Sequence, residues 1–248
     1  FFFKQKTAYE IVDCDWSSDV CSSDLNTATL SIASTVTVTP INDAPTLSAT
    51  ASNPTFTEGS GSGVQGSAVS VFSGASVSTV EAGQTIAGLT FTVSGVVDGT
   101  NEKIIVDGTT LTLSSGSTGT TQTNGLSYSV TFNGTNKVST VVLSGGSLTA
   151  SAAQTLVNGI QYQNTSLDDP TSGSRVVTLT QLVDSGSNVA PNSNTATLSI
   201  VSTVTVTPIN DAPTLSATAS NPTFTEGSGS GVQDRKSTRL NSSHSQQS

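Results

Sequence analysis

The sequence predicts an all-β chain, an antiparallel β-sandwich carrying one short helix, and three observations lead there. Apolar residues alternate with Ser and Thr at a period of two through several stretches, the signature of strands with one buried face. Turn dipeptides separate those stretches: Asp98-Gly99, Asp107-Gly108, Asn124-Gly125, Asn133-Gly134, Gly145-Gly146 and Ser185-Gly186. Thr, Ser, Val, Gly and Asn dominate, while the good helix formers Glu, Lys, Arg and Met are scarce.

In chain order, a short strand is expected over 68–72, after a Gly/Ser stretch at 59–66 that reads as a loop. Leu89, Phe91 and Val93 alternate with Thr90, Thr92 and Ser94 in the next strand. Residues 103–106 and 110–113 flank Asp107-Gly108 as a hairpin, and the Ser/Gly run 114–119 reads as a loop. Leu126, Tyr128, Val130 and Phe132 share a strand face before Asn133-Gly134, with 138–143 returning. Ser151 and Gln154 form a capping-box pattern and Asn158-Gly159 a stop, which predicts a short helix packing Thr155, Leu156 and Val157 on the sheet. Strands follow at 160–163 and 175–182. In 194–208, Leu198, Ile200, Ser202, Val204 and Val206 share one face and a row of Thr the other.

The chain repeats itself. Residues 26–65 recur at 194–233 with a single change, Ala33 against Val201, at an offset of 194 − 26 = 168 residues. Near-identity over such a length marks a structural unit that is reiterated. With boundaries at Ile-Asn-Asp-Ala-Pro, 26–44 is the C-terminal strand of a preceding repeat, 45–212 a full repeat, and 213–233 the start of the next. The one change falls on the Thr face, so it leaves the core volume unaltered.

The copies stop matching at Leu25 and Asp234. Residues 1–25 and 234–248 resemble translated sequencing adapter. The strand complementary to one set of codons for Glu10 to Leu25, read one base out of frame, encodes Asp234 to Ser248 residue for residue. Both ends are therefore set aside as adapter-derived. With them go Cys14, Trp16, Cys21, His244 and five of the eight basic residues, so the two thiols support no disulfide argument.

The retained segment has 233 − 25 = 208 residues, enough to bury a core. It carries eleven acidic residues against Lys103, Lys137 and Arg175, a balance of 3 − 11 = −8. Without a basic patch, neither nucleic acid nor an anionic membrane is an expected partner. No run approaches the roughly 20 apolar residues of a spanning helix, so membrane insertion is not expected. The segment has no His and no thiol, and Asp168-Asp169 before Pro170 reads as a turn, so a non-catalytic protein is expected.

An acidic, oxygen-rich surface suits Ca²⁺, which takes six to eight oxygen ligands. Asn42-Asp43 and Asn210-Asp211 each follow a long strand and precede a Pro. One ion shared by the junction carboxylate, Glu58 (or Glu226) and Asp184 requires Asp184 and Asp211 at one end of the sandwich. The same residues also suit plain strand-ending turns, and both readings stay open.

Residues 175–213, RVVTLTQLVDSGSNVAPNSNTATLSIVSTVTVTPINDAP, resemble the end of a cadherin-like domain, with an Asp-x-Gly turn, a strand and an Asn-Asp junction before Pro. The whole repeat is similar to the cadherin-like or immunoglobulin-like tandem repeats of large bacterial surface adhesins. The resemblance implies calcium ligands at Asp184, Asn210 and Asp211, with Asn42 and Asp43 in the other copy and Glu58 and Glu226 as the early glutamate. Thr79 and Glu81 stand where such repeats often carry two aspartates, Pro40 and Pro208 replace an acidic residue, and Ala44 and Ala212 replace an Asn. Fewer ions than a full three-ion junction are implied.

The resemblance further implies an extracellular or cell-surface protein acting as a calcium-stiffened spacer. Its partners would be neighbouring repeats of the same chain and cell-surface or matrix ligands. The alternative is a ligand- or carbohydrate-binding accessory module of a secreted hydrolase. Scarcity of aromatics argues against a sugar-stacking face, since Tyr128 and Tyr162 read as core residues. Long DNA reads across the locus are expected to continue the 168-residue period on both sides in place of residues 1–25 and 234–248. A native transcript encoding both flanks would overturn the adapter assignment.

Overall fold

The computed structural model describes residues 32–225 except 62, 115, 214 and 224. What the sequence implies for residues 1–25, Glu226 and 234–248 lies outside the described residues. The chain divides into two compact units, Phe1–Pro40 and Ile41–Ser248. In the first, the described residues 32–40 are exposed and form no strand, although a strand is expected within 26–44.

The second unit is mostly β. Its elements are β1 (Thr46–Ala51), β2 (Thr55–Thr57), β3 (Val69–Ser70), β4 (Phe72–Ser78), β5 (Ile86–Ser94), β6 (Glu102–Val106), β7 (Thr109–Thr112), β8 (Ser117–Thr120), β9 (Ser127–Asn133), β10 (Val138–Ser144), α1 (Ala150–Asn158), β11 (Gln161–Asn164), β12 (Gly173–Asp184) and β13 (Thr195–Thr207). They form a seven-stranded sheet in the order β2-β13-β12-β5-β10-β9-β8, a four-stranded sheet β3-β11-β6-β7, and the pair β1-β4. The strand pairs are antiparallel apart from β2 on β13.

Register follows the period-2 pattern. In the middle of the large sheet, Phe91 of β5 stands opposite Val141 of β10 on one side and Leu179 of β12 on the other, and all three are buried. Slipping any of these strands by one residue would turn its Thr row inward, so the apolar alternation fixes the pairing. Ile104, Val106, Leu111 and Tyr162 bury the inner face of the four-stranded sheet. Phe56 of β2 meets Tyr162 of β11 edge to face, with ring centroids 5.7 Å apart and planes at 87°.

Three elements differ from the sequence expectation. The strand expected over 68–72 is broken into β3 and β4, and β4 runs on through Ser73–Ser78, where β1 supplies an antiparallel partner. The Ser/Gly run expected as a loop carries β8 on the sheet edge, where Gly119 leaves room for the Tyr128 ring of β9. Helix α1 is present, but its cap is Thr149, whose hydroxyl accepts from the Ala152 amide at 3.1 Å, and not Ser151. Ala153, Leu156 and Val157 are its buried residues, while Thr155 is exposed.

A buried charge cluster ties the two larger sheets together. Arg175 of β12 is 1% exposed; its Nε donates to Glu102 of β6 at 2.8 Å and its Nη2 to Asp98 at 2.9 Å. Asp98 also accepts from Asn164 at 2.7 Å and from the Thr171 amide, so loop 165–171 closes over the pair. Removing Arg175 alone would strand two carboxylates in the core, the costly way to break such a network. Glu102 Oε2 and the Tyr162 hydroxyl are buried without a hydrogen-bond partner.

Burial raises the Glu102 carboxyl above its ordinary value of 4.5, a shift that the Arg175 charge opposes without cancelling. A carboxyl whose folded value is raised binds its proton more tightly in the folded state. The stability it contributes is complete below 4.5 and is lost as pH rises through the raised folded value. Glu102→Gln cannot ionise, so urea unfolding across this range is expected to show its stability falling less than wild type from acid to neutral pH. Parallel curves would show that Glu102 does not titrate abnormally.

Candidate functional site

The sequence-predicted ligands fall at the two ends of β13. Because β12 and β13 are antiparallel, the end of β12 meets the start of β13, with Val183 opposite Thr195. Asp184 closes β12 there, and its amide donates to the Asn194 carbonyl at 2.9 Å. Its Oδ1 accepts from the Gly186 amide at 2.7 Å, the Asx-turn geometry that Asp-Ser-Gly favours, and from Asn42 Nδ2 at 3.4 Å.

Asn42 is plugged into this entry end. Its amide donates to Asn192 Oδ1 at 2.7 Å, its Nδ2 to the Ser193 carbonyl at 2.7 Å, and its Oδ1 accepts from Gln84 Nε2. The Asp43 amide donates to Glu81 Oε1 at 3.0 Å, while the Asp43 side chain is exposed. Asp184 Oδ2, Glu81 Oε2 and Gln84 Oε1 are buried and lack a hydrogen-bond partner. Each is a buried oxygen that a water molecule or a cation would satisfy.

The exit end holds the other group. The Glu58 amide donates to the Thr207 carbonyl at 3.1 Å, and Glu58 Oε2 accepts from the Ile209 amide at 3.0 Å. Asp211 Oδ1 accepts from the Gly61 amide at 2.8 Å. Glu58 Oε1 and Asp211 Oδ2 are buried without partners, while Asn210 is exposed.

β13 has thirteen residues, which at about 3.3 Å per residue is roughly 40 Å. Asp184 and Asp211 of one repeat therefore cannot share an ion. The expected single site of junction carboxylate, Glu58 and Asp184 within one repeat is corrected to two half-groups, Asn42, Asp43, Glu81 and Asp184 at the entry and Glu58, Asn210 and Asp211 at the exit. Among the described residues no group of three or more His, Cys, Asp or Glu side chains is placed to hold a metal. Glu226, the copy of Glu58, lies outside the described residues.

Sequence reasoning overlooked Gln84, Asn192 and Ser193, which fix Asn42. The Asn-rich loop 188–194 is the only local hint, because these contacts join residues 42 positions apart for Gln84 and about 150 for Asn192 and Ser193. A separate cleft of about 360 Å³ lies between the Asp107-Gly108 turn, Thr123, Asn124 and α1. The Asp107 carboxylate on its wall is already occupied by Thr121 and by the amide and side chain of Asn124.

Comparison with family models, curated proteins and solved structures gives no significant match. The site rests on geometry alone.

A Cβ added at Gly186 would fall on the Asn42 side-chain amide. Gly186→Ala is expected to expel Asn42 at a cost of about 1–3 kcal/mol, the penalty for unpairing buried polar groups. Hydrogen exchange should then show loss of protection at the Asn42 and Ser193 amides, with β10 unaffected.

Proposed function

We propose that the chain is a non-catalytic, extracellular repeat of a bacterial adhesin-type surface or secreted protein. In this reading it is a cadherin-like or immunoglobulin-like β-sandwich that acts as a spacer, and calcium stiffens the seams between repeats. One observation carries the reading. The two copies of the same Asn-Asp dipeptide engage opposite neighbours, Asn42 reaching into the Asp184 group while Asp211 stays with the Glu58 group.

In an array, each Asn-Asp would do both at once. Glu58 and Asp211 of one repeat would then face Asp184 and Glu81 of the next, summing two half-groups into four carboxylates with Asn and Gln amide oxygens beside them. Their unpartnered buried oxygens supply the hard ligands Ca²⁺ requires. A dissociation constant of about 10⁻⁴ to 10⁻³ M, typical of extracellular modules, would suffice outside a cell. Neighbouring repeats are the first partners, and cell-surface or matrix ligands would bind elsewhere along the array. The reading assigns no role to nucleic acid or membrane insertion.

The second reading is a ligand- or carbohydrate-binding accessory module of a secreted hydrolase, for which the cleft beside α1 is the available surface. It is disfavoured because the one carboxylate there is internally bonded and no aromatic lines it. Glycan-array binding that is lost on Thr155→Trp would favour it.

For a protein of two complete repeats, calorimetry is expected to show heat with millimolar calcium and X-ray scattering a shorter maximum dimension in chelator. Asp184→Asn should abolish both changes without unfolding either repeat. No heat and an unchanged scattering profile would remove calcium from the proposal.

A further inference from the structure

We infer that the short parallel contact between β2 and β13 is a shear clamp that holds the repeat together under end-to-end tension. The inference rests on the spacer reading for the origin of the tension, but the mechanical claim concerns this chain alone.

The argument begins with direction. The chain enters at Asn42, fixed beside the start of β13, and leaves beyond Thr207 at its end. Between these points β1 and then β2 run the same way as β13, and Thr55, Phe56 and Thr57 pair in parallel with Thr205, Val206 and Thr207. Outward pull at entry and exit drags β1 and β2 one way and β13 the other, along their shared axis. Such sliding strains every cross-strand bond together, whereas pulling two strands apart from one end breaks the bonds one at a time.

Three paired residues alone would make a weak lock; the ladder runs from the Thr205 amide on the Pro54 carbonyl to the Glu58 amide on the Thr207 carbonyl, and side-chain bonds extend it at both ends. Upstream, the Asn53 amide donates to Ser202 Oγ at 3.2 Å and Asn53 Oδ1 accepts from the Thr203 amide at 2.9 Å. Asn53 holds φ at 44°, in the left-handed region, to make both bonds. The Thr205 amide donates to the Pro54 carbonyl at 3.0 Å. Downstream, Glu58 grips residues 207–209 with its own amide and with Oε2, and Gly61 holds Asp211. Phe56 is fully buried on Tyr162, so sliding must also drag a ring through the core.

β1 takes load first, through its pairing with β4, but that pair belongs to a different sheet. Once β1 slips, β2 is the last strand holding the N-terminal segment to the seven-stranded sheet. Residues 53–61 therefore set the force at which the repeat opens.

Single-molecule pulling on the full chain tests this, with calcium chelated throughout and Cys14 and Cys21 replaced by Ser. Handles at Pro40→Cys and Leu215→Cys load the contact in shear, and handles at Ser60→Cys and Leu215→Cys peel it from the exit end. Shear rupture is expected to need severalfold more force than peeling at one pulling rate. Asn53→Gly, which keeps the left-handed backbone, should lower the shear force and leave the peeling force nearly unchanged, whereas Glu58→Gln, at the end where peeling starts, should lower both. Equal forces in the two directions, or a shear force that neither substitution lowers, would overturn the clamp. Because no calcium is present, that result would leave the spacer reading to stand or fall on the scattering of the two-repeat protein.

Discussion

Pairing along both edges of β13 is the constraint from which the rest of the unit follows. The strand satisfies its backbone against β12 over most of its length and against β2 near its end. Residues 32–40 repeat the end of that strand apart from Ala33, yet lie exposed outside any sheet. The described residues between 213 and 225, which repeat β1 and β2, are exposed coil for the same reason. A lone strand leaves its peptide groups to water and buries nothing, so its alternation expresses itself only where a partner surface exists. The duplication thus holds sequence constant while context varies, and context decides the structure.

With β13 seated, the remaining polar features acquire their places. Arg175 lies in β12, one strand inward, and reaches across the core to Glu102 on the facing sheet. Such a pair adds little net stability once desolvation is counted, but leaving either partner unpaired is costly, which disfavours other alignments of the two sheets. The same alignment brings Phe56 onto Tyr162 and leaves the carboxylates at the two ends of β13 partly unpaired. Buried oxygens without a partner occur both in the interior, at Glu102 Oε2, and at the two ends of β13.

Much of the interior was legible in the sequence because alternation is a local signal. Leu89, Phe91 and Val93 declare their buried face without reference to any partner. The edge strand β8 was not legible, since Ser and Gly carry no alternation and pair there only because β9 offers a free edge. Asp98 reads as an ordinary turn residue, and nothing near it in sequence announces Arg175, 77 positions away. The grouping of the candidate ligands was not legible either. The separation of Asp184 from Asp211 depends on the direction of β12 relative to β13, which spacing does not encode.

The length of the repeat has its own consequence if β2 and β13 part under strain. Its longest strand, β13, is roughly 40 Å long, whereas the repeat's 168 residues, drawn out, reach about 550 Å. Each opening would pay out slack many times the length it had occupied, so that one yielding segment would spare the others and the chain would lengthen in steps instead of snapping from its anchor.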